Sequence, residues 1–149
     1  MSLPYTSPTF AIPRATLQRL VDRVFARAAR RPTVLLAIED EALRDAARSL
    51  LVRALFTVVE PHGGELSAES VATFRPDLVL ADVRTPDGWL ALGRLRADPA
   101  VGGVPVVGLG PAPREAGREW ARRLGVECVV PVPFDPDGLV DLVERVTGG

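Results

Sequence analysis

The side chains best suited to chemistry in this chain are carboxylates, and each lies just after an apolar run. Asp82 closes Asp77-Leu78-Val79-Leu80-Ala81, and Glu39-Asp40-Glu41 closes Val34-Leu35-Leu36-Ala37-Ile38. Carboxylate oxygens suit hard cations such as Mg²⁺. Acids placed like the Glu39 group equally suit the first turn of a helix, whose dipole favours negative charge. Asp82, taken alone, is also compatible with a plain loop acid. His62 lies in the turn Pro61-His62-Gly63-Gly64 with no cysteine or serine placed beside it, and reads as a solvated loop histidine. Cys128, in an apolar run, reads as an inert core thiol. Gly108-Leu109-Gly110-Pro111 lacks the full spacing of a dinucleotide or Walker loop and reads as a tight turn.

The counter-charges are unusual. The 149 residues contain no lysine, so all eighteen basic groups are arginine. Net charge is −1, which predicts no global attraction to nucleic acid or to a membrane surface. The distribution is uneven: residues 1–31 carry six arginines against Asp22, whereas the remaining twelve arginines face eighteen acids. A basic arm therefore precedes an acidic body. A 47% apolar and 25% charged composition fits a soluble globular chain and excludes a disordered one. One cysteine cannot close an internal disulfide, which fits a reducing, cytoplasmic setting. No stretch approaches the ~18 apolar residues of a membrane span.

The elements that must position these groups follow from periodicity. Prolines at 4, 8 and 13 predict an extended arm. After Pro13, Leu17, Leu20, Val21, Val24, Phe25 and Ala28 form one apolar stripe of a helix, with Arg19, Arg23 and Arg27 on another face, ending at Pro32. Beyond it strands and helices alternate. Strands are expected at 34–38, 56–59, 77–81, 104–109 and 128–130; helices at 42–53, 66–74, 88–97, 114–124 and 136–146. Trp89 and Trp120 fall on helices, as packing residues. This alternation requires a doubly wound parallel α/β sheet, and five repeats match the flavodoxin-like order 2-1-3-4-5. The expected division is 1–31, an arm with a basic amphipathic helix, and 32–149, the sheet domain.

Residues ~33–147 also resemble, segment by segment, the receiver domain of bacterial two-component response regulators (the CheY-like family). LLAIEDEALRDAARSLLVRALFTVVE is similar to its first strand, acidic corner, first helix and second strand. RPDLVLADVRTP resembles the stretch around the acceptor aspartate, LRADPAVGGVPVVGLG the third helix's end and fourth strand, and LGVECVVPVPFDPDGLVDLVERV the remainder. The resemblance implies Asp82 as the phosphoacceptor candidate, with Glu39 and Asp40 completing a candidate Mg²⁺ site. An ungapped alignment puts the acidic pair at Ile38 and Glu39 instead. It further implies that the hydroxyl, aromatic and lysine positions of the switch are Gly110, Val129 and Val132. None of these three can play its part, and the loop after Asp82 is about two residues shorter than usual.

A charge-assisted hydrogen bond contributes about 1.5–3 kcal/mol. Swinging a two-state domain from 1:99 to 99:1 takes about 5.5 kcal/mol. Without lysine and hydroxyl, a phosphorylated Asp82 has little left to drive a switch. The expectation is a non-enzymatic pseudo-receiver that signals through protein–protein interaction, with no cofactor required and Mg²⁺ compatible with the acidic corner. The expected partner is a sensor kinase or a downstream signalling protein, because no output segment follows the last helix. A homodimer is expected through the N-terminal helix or the face made by the fourth and fifth domain helices and the fifth strand. Neither a membrane nor nucleic acid is an expected partner, although the arginine face keeps nucleic acid as a rival. Two other rivals are a working phosphoacceptor at Asp82 and a small-molecule sensor using a crevice above it, widened by Gly110 and Val132.

Overall fold

The structure is a computed structural model that describes residues 12–148, side chains 27–30 excepted. The proline-rich arm over 1–11 lies outside the described residues. The chain divides into two compact units, 1–31 and 32–149. The first is built on helix α1, Arg14–Arg30, which follows Pro13 directly. Its stripe is solvent-facing: Leu17, Leu20, Val21, Val24 and Phe25 are all exposed, Phe25 at 71%.

The second unit alternates β1 (Thr33–Ala37), α2 (Glu41–Arg53), β2 (Thr57–Val59), α3 (Ala68–Phe74), β3 (Leu78–Asp82), α4 (Pro86–Ala97), β4 (Val106–Leu109), α5 (Glu115–Arg123), β5 (Val126–Val130) and α6 (Pro136–Gly148). All five strands run parallel in the order β2-β1-β3-β4-β5, as the alternation required. Boundaries shift by one or two residues from the expected ones. α4, for example, starts at Pro86 rather than Gly88, because proline's fixed φ suits the first helical position.

The continuous apolar runs are explained by burial on both faces of the sheet. Val34, Leu36, Leu78, Leu80, Val107 and Leu109 point to one face, packed with Leu43, Ala47 and Leu51 of α2 and Leu139 and Val143 of α6. Leu35, Ala37, Val79, Ala81 and Val106 point to the other, against Val71 of α3 and Leu92 and Leu95 of α4. The β5 edge is different, with Glu127 and Cys128 both exposed. Cys128 is therefore not the core thiol its apolar neighbours suggest: β5 is an outer strand, paired on one side only, and its outward positions reach solvent.

A half-buried arginine fastens the opposite end of the sheet from the carboxylates. Arg96, in the last turn of α4, donates from Nε to the Leu124 carbonyl (2.6 Å) and from Nη1 to those of Gly102 and Val104 (both 2.5 Å). Nη2 donates to the Gly125 carbonyl at 3.0 Å. One guanidinium thus joins the segment entering β4 to the turn entering β5.

Candidate functional site

The ends of β1 and β3, the loop before α3 and the first turns of α4 converge on a cleft of about 410 Å³. β1 is followed by Ile38, which is fully buried in the core, and the chain then emerges as Glu39 and Asp40. Both line the cleft. Asp40 also caps α2: its Oδ1 accepts from the Leu43 backbone N–H at 2.9 Å, and Glu41 follows in the first turn. The helix-start role of this acidic run is therefore real, and Asp40 faces the cleft as well.

The β2–α3 connection folds over the end of β1. Gly64 has φ of +73°, and a Cβ at that position would strike the Ile38 carbonyl. Glycine meets both demands, a left-handed backbone and a close approach. His62 sits beside it, exposed in a short 3₁₀ turn.

Asp82 is the last residue of β3, paired opposite Leu109, and its side chain is only 16% exposed. The loop that follows is short because α4 begins almost at once. At Gly88 a Cβ would collide with the Asp82 carbonyl, so only glycine lets the first turn of α4 come this near. This tight turn sets the direction of Arg84.

Arg84 grips Asp82 with two parallel bonds. Its Nε donates to Asp82 Oδ1 at 2.9 Å and its Nη2 to Oδ2 at 2.8 Å, while its backbone N–H donates to Oδ1 at 3.0 Å. Nη2 also lies 3.5 Å from Asp40 Oδ2. The hydrogen bond to Asp82 pushes the Arg84 guanidinium above its usual range, so it stays charged. The Leu43 N–H holds the Asp40 carboxyl below the usual carboxylate range, with Arg84 as a further cause.

Two sequence expectations need correction here. The site was expected to lack a cationic side chain because its lysine position is Val132, and Arg84 supplies a guanidinium from the loop after β3. The crevice was expected to be widened by Gly110 and Val132, yet among the described residues its lining comes from the ends of β1 and β3, the loops after β1, β2 and β3, and α4. Gly110 is buried at the end of β4, where a Cβ would press on Val83. Val132 packs against the α2/α6 core and Val129 against the α3/α4 core. The missed residue is Arg84. Its signal in the sequence is Asp-x-Arg just past a strand end, legible only once the turn geometry is known. The two tryptophans separate: Trp89 packs on the α3/α4 core, whereas Trp120 on α5 is 49% exposed.

A Mg²⁺ ion, which the fold leads one to consider, does not fit these carboxylates as they stand. Both Asp82 oxygens are already committed to Arg84, and among the described residues no three metal-binding side chains are gathered.

No protein-family model matches the chain, and no curated protein matches it. Solved structures do. The chemotaxis protein CheY4 of Vibrio cholerae superposes with a TM-score of 0.67 at 18% identity, over 77% of this chain and 98% of that one. A response regulator from Thermotoga maritima gives 0.64 at 20% identity, over 79% and 98%. The receiver domain of a sensor histidine kinase from Pseudomonas aeruginosa, solved with magnesium in its active-site cleft, gives 0.63 at 21% identity, over 79% and 98%. The chain has the receiver fold. At these identities the likeness establishes architecture, and the chemistry has to be argued from the side chains.

Proposed function

We propose that this chain is a receiver-like signalling module that acts through protein–protein contact and without the conventional phosphorylation switch. The observation that carries the reading is the lining of the cleft, to which neither β4 nor β5 contributes a side chain among the described residues. A phosphoryl group on Asp82 changes the shape of such a domain only by drawing another element toward itself. Gly110 has no side chain to offer, and Val129 and Val132 are spent on the two cores. Arg84 is a strong phosphoryl ligand in principle. It lies two residues from Asp82 in the same loop, and its side chain bonds to Asp82 and Asp40 rather than to a group of β4 or β5.

The energetics point the same way. The missing ammonium and hydroxyl represent two charge-assisted bonds, about 1.5–3 kcal/mol each, of the roughly 5.5 kcal/mol that a full population shift requires. Signal output therefore rests on a standing surface. The α5, β5 and α6 region offers exposed Trp120 on α5 and the exposed acids Asp135, Asp137 and Asp141 around the first turns of α6, groups suited to an aromatic-binding or a basic surface on a sensor kinase or a downstream signalling protein. The exposed stripe of α1 provides a second contact, for a second copy of the chain.

The test is incubation with Mg²⁺ and beryllofluoride or a small phosphodonor, followed by amide NMR spectra. Changes absent, or confined to the Asp82 loop and equal partner binding by Asp82→Ala, are expected. Saturable changes reaching β4 and β5, abolished by Asp82→Ala, would instead establish a working phosphoacceptor.

A further inference from the structure

We infer that Arg84 is the permanent counter-ion of the cleft and takes the place of a divalent cation, making the cleft metal-independent. This deepens the reading above and rests on the same cleft, but it concerns the unphosphorylated protein.

A hard cation here would have to bridge carboxylates from β1 and β3, the two neighbouring strand ends. Arg84 already does so, with Asp82 at 2.8 and 2.9 Å and Asp40 at 3.5 Å. Its planar fork matches a carboxylate edge, whereas a divalent ion must shed water to bind there. Arg84 is also tethered. Only Val83 separates it from Asp82, so its effective concentration at the carboxylate far exceeds that of free Mg²⁺ in solution. Its backbone N–H donates to the same carboxylate, and Gly88 keeps the turn tight, so the guanidinium is aimed before any ligand arrives. A cation entering the cleft must break two bonds to Arg84 and then share the site with a positive group that cannot deprotonate.

Removing that group should leave Asp40 and Asp82 facing one another across the cleft without their neutralising partner. The carboxylate pair is then open to a cation that one side chain now keeps out.

The test is calorimetric titration of MgCl₂ into the full chain and into Arg84→Ala, Arg84→Gln, Arg84→Lys and Arg84→Ala/Asp82→Ala. Both neutral variants should bind Mg²⁺ at least about tenfold more tightly than the wild type, a difference of about 1.4 kcal/mol. The double variant and Arg84→Lys should not gain this affinity, since one lacks the ligand and the other keeps the charge. Equal affinity in wild type and neutral variants, or no binding in either, would overturn the inference. A wild-type measurement stands independently of variant folding: Mn²⁺ should not selectively broaden the amide signals of Asp40 and Asp82 at sub-millimolar concentration, and selective broadening counts against Arg84 as the resident cation. No phosphodonor enters these experiments, so their failure is distinct from failure of the switch-free reading.

Discussion

Replacing Arg96 should cost this fold more than any other single surface-connected charge. Its guanidinium serves four carbonyl oxygens, those of Gly102, Val104, Leu124 and Gly125, at 2.5–3.0 Å. Burial pushes its pKa down, which means the surrounding backbone has replaced solvent water, with Glu127 partly offsetting the loss. Hydrogen bonds from a charged donor contribute about 1.5–3 kcal/mol each in isolation, and leaving buried acceptors unpaired costs about 1–3 kcal/mol per group. The bonds share one side chain and Gly125 lies at the surface, so the contributions do not add. About 3–4 kcal/mol is the reasonable loss for Arg96→Ala, a large part of the ~5–15 kcal/mol that holds a domain together. With a urea m-value near ~2 kcal/mol/M, the midpoint should fall by about 1.5–2 M. Arg96→Lys keeps the charge but can reach only some of the four acceptors, so about half that fall is expected. Equilibrium unfolding followed by circular dichroism measures both. A midpoint shift under ~0.5 M for Arg96→Ala would show that water replaces the guanidinium freely, and the clamp argument would be wrong.

Three further outcomes follow from the site and the arm. Asp40 has a carboxyl pKa lowered in the folded state, so its contribution is present above about pH 4 and is lost as pH falls through the lowered value. Asp40→Asn, which can still cap α2, should flatten the acid limb of a stability profile between about pH 2 and 5; an unchanged limb would assign acid sensitivity to other groups. Gly88→Ala should destabilise the domain by about 2 kcal/mol or more, because the new methyl meets the Asp82 carbonyl and forces the loop outward. Its amide spectrum should show the Asp82–Arg84 turn displaced. Phe25→Glu, placed on the exposed stripe of α1, should shift sedimentation toward the monomer without changing the unfolding midpoint of the 32–149 unit; an unchanged sedimentation profile would reject self-association through this helix.

The sheet was legible in the sequence because its signal is redundant. Five apolar runs, each followed by a helical stripe, admit one strand arrangement, and a shift of one or two residues at an element end leaves that arrangement intact. Asp82 was legible for the same reason: a carboxylate directly after a buried run falls at a strand's carboxyl end, where such sheets hold their sites. Two things were not legible. Cys128 sits in an apolar run like the others, and only the strand order reveals that its strand is the outer one. Arg84 is two residues from its partner, a spacing that leaves both side chains on one face of an extended strand about 7 Å apart and brings them into contact only in a turn. The sequence does not say which, until Gly88 is seen to bring α4 against the Asp82 carbonyl.

The absence of lysine and the presence of this turn have a common consequence. A lysine reaching the acceptor from another strand neutralises it and at the same time reports on it, because any change at the carboxylate is felt across the sheet. An arginine within the loop of Asp82 itself neutralises the carboxylate equally well, and its side chain reaches no group of β4 or β5. Shortening the loop brings the helix start close enough to require Gly88 and aims Arg84 inward, so charge balance becomes local. Once the balance is local, β4 and β5 are released from contributing polar groups, and valines can fill their inward positions with core packing. Under the switch-free function proposed above, stability and loss of switching then arise from the same substitutions. A chain that regained a lysine at position 132 would face a cleft already neutralised, and the new ammonium would have to compete with Arg84 for Asp82. Restoring a switch therefore requires removing Arg84 as well as supplying the lysine. Of the two single variants, neither should respond to a phosphodonor; in the pair Arg84→Ala/Val132→Lys, amide shifts extending into β5 are the expected result, and a response from Val132→Lys alone would refute the local-balance argument.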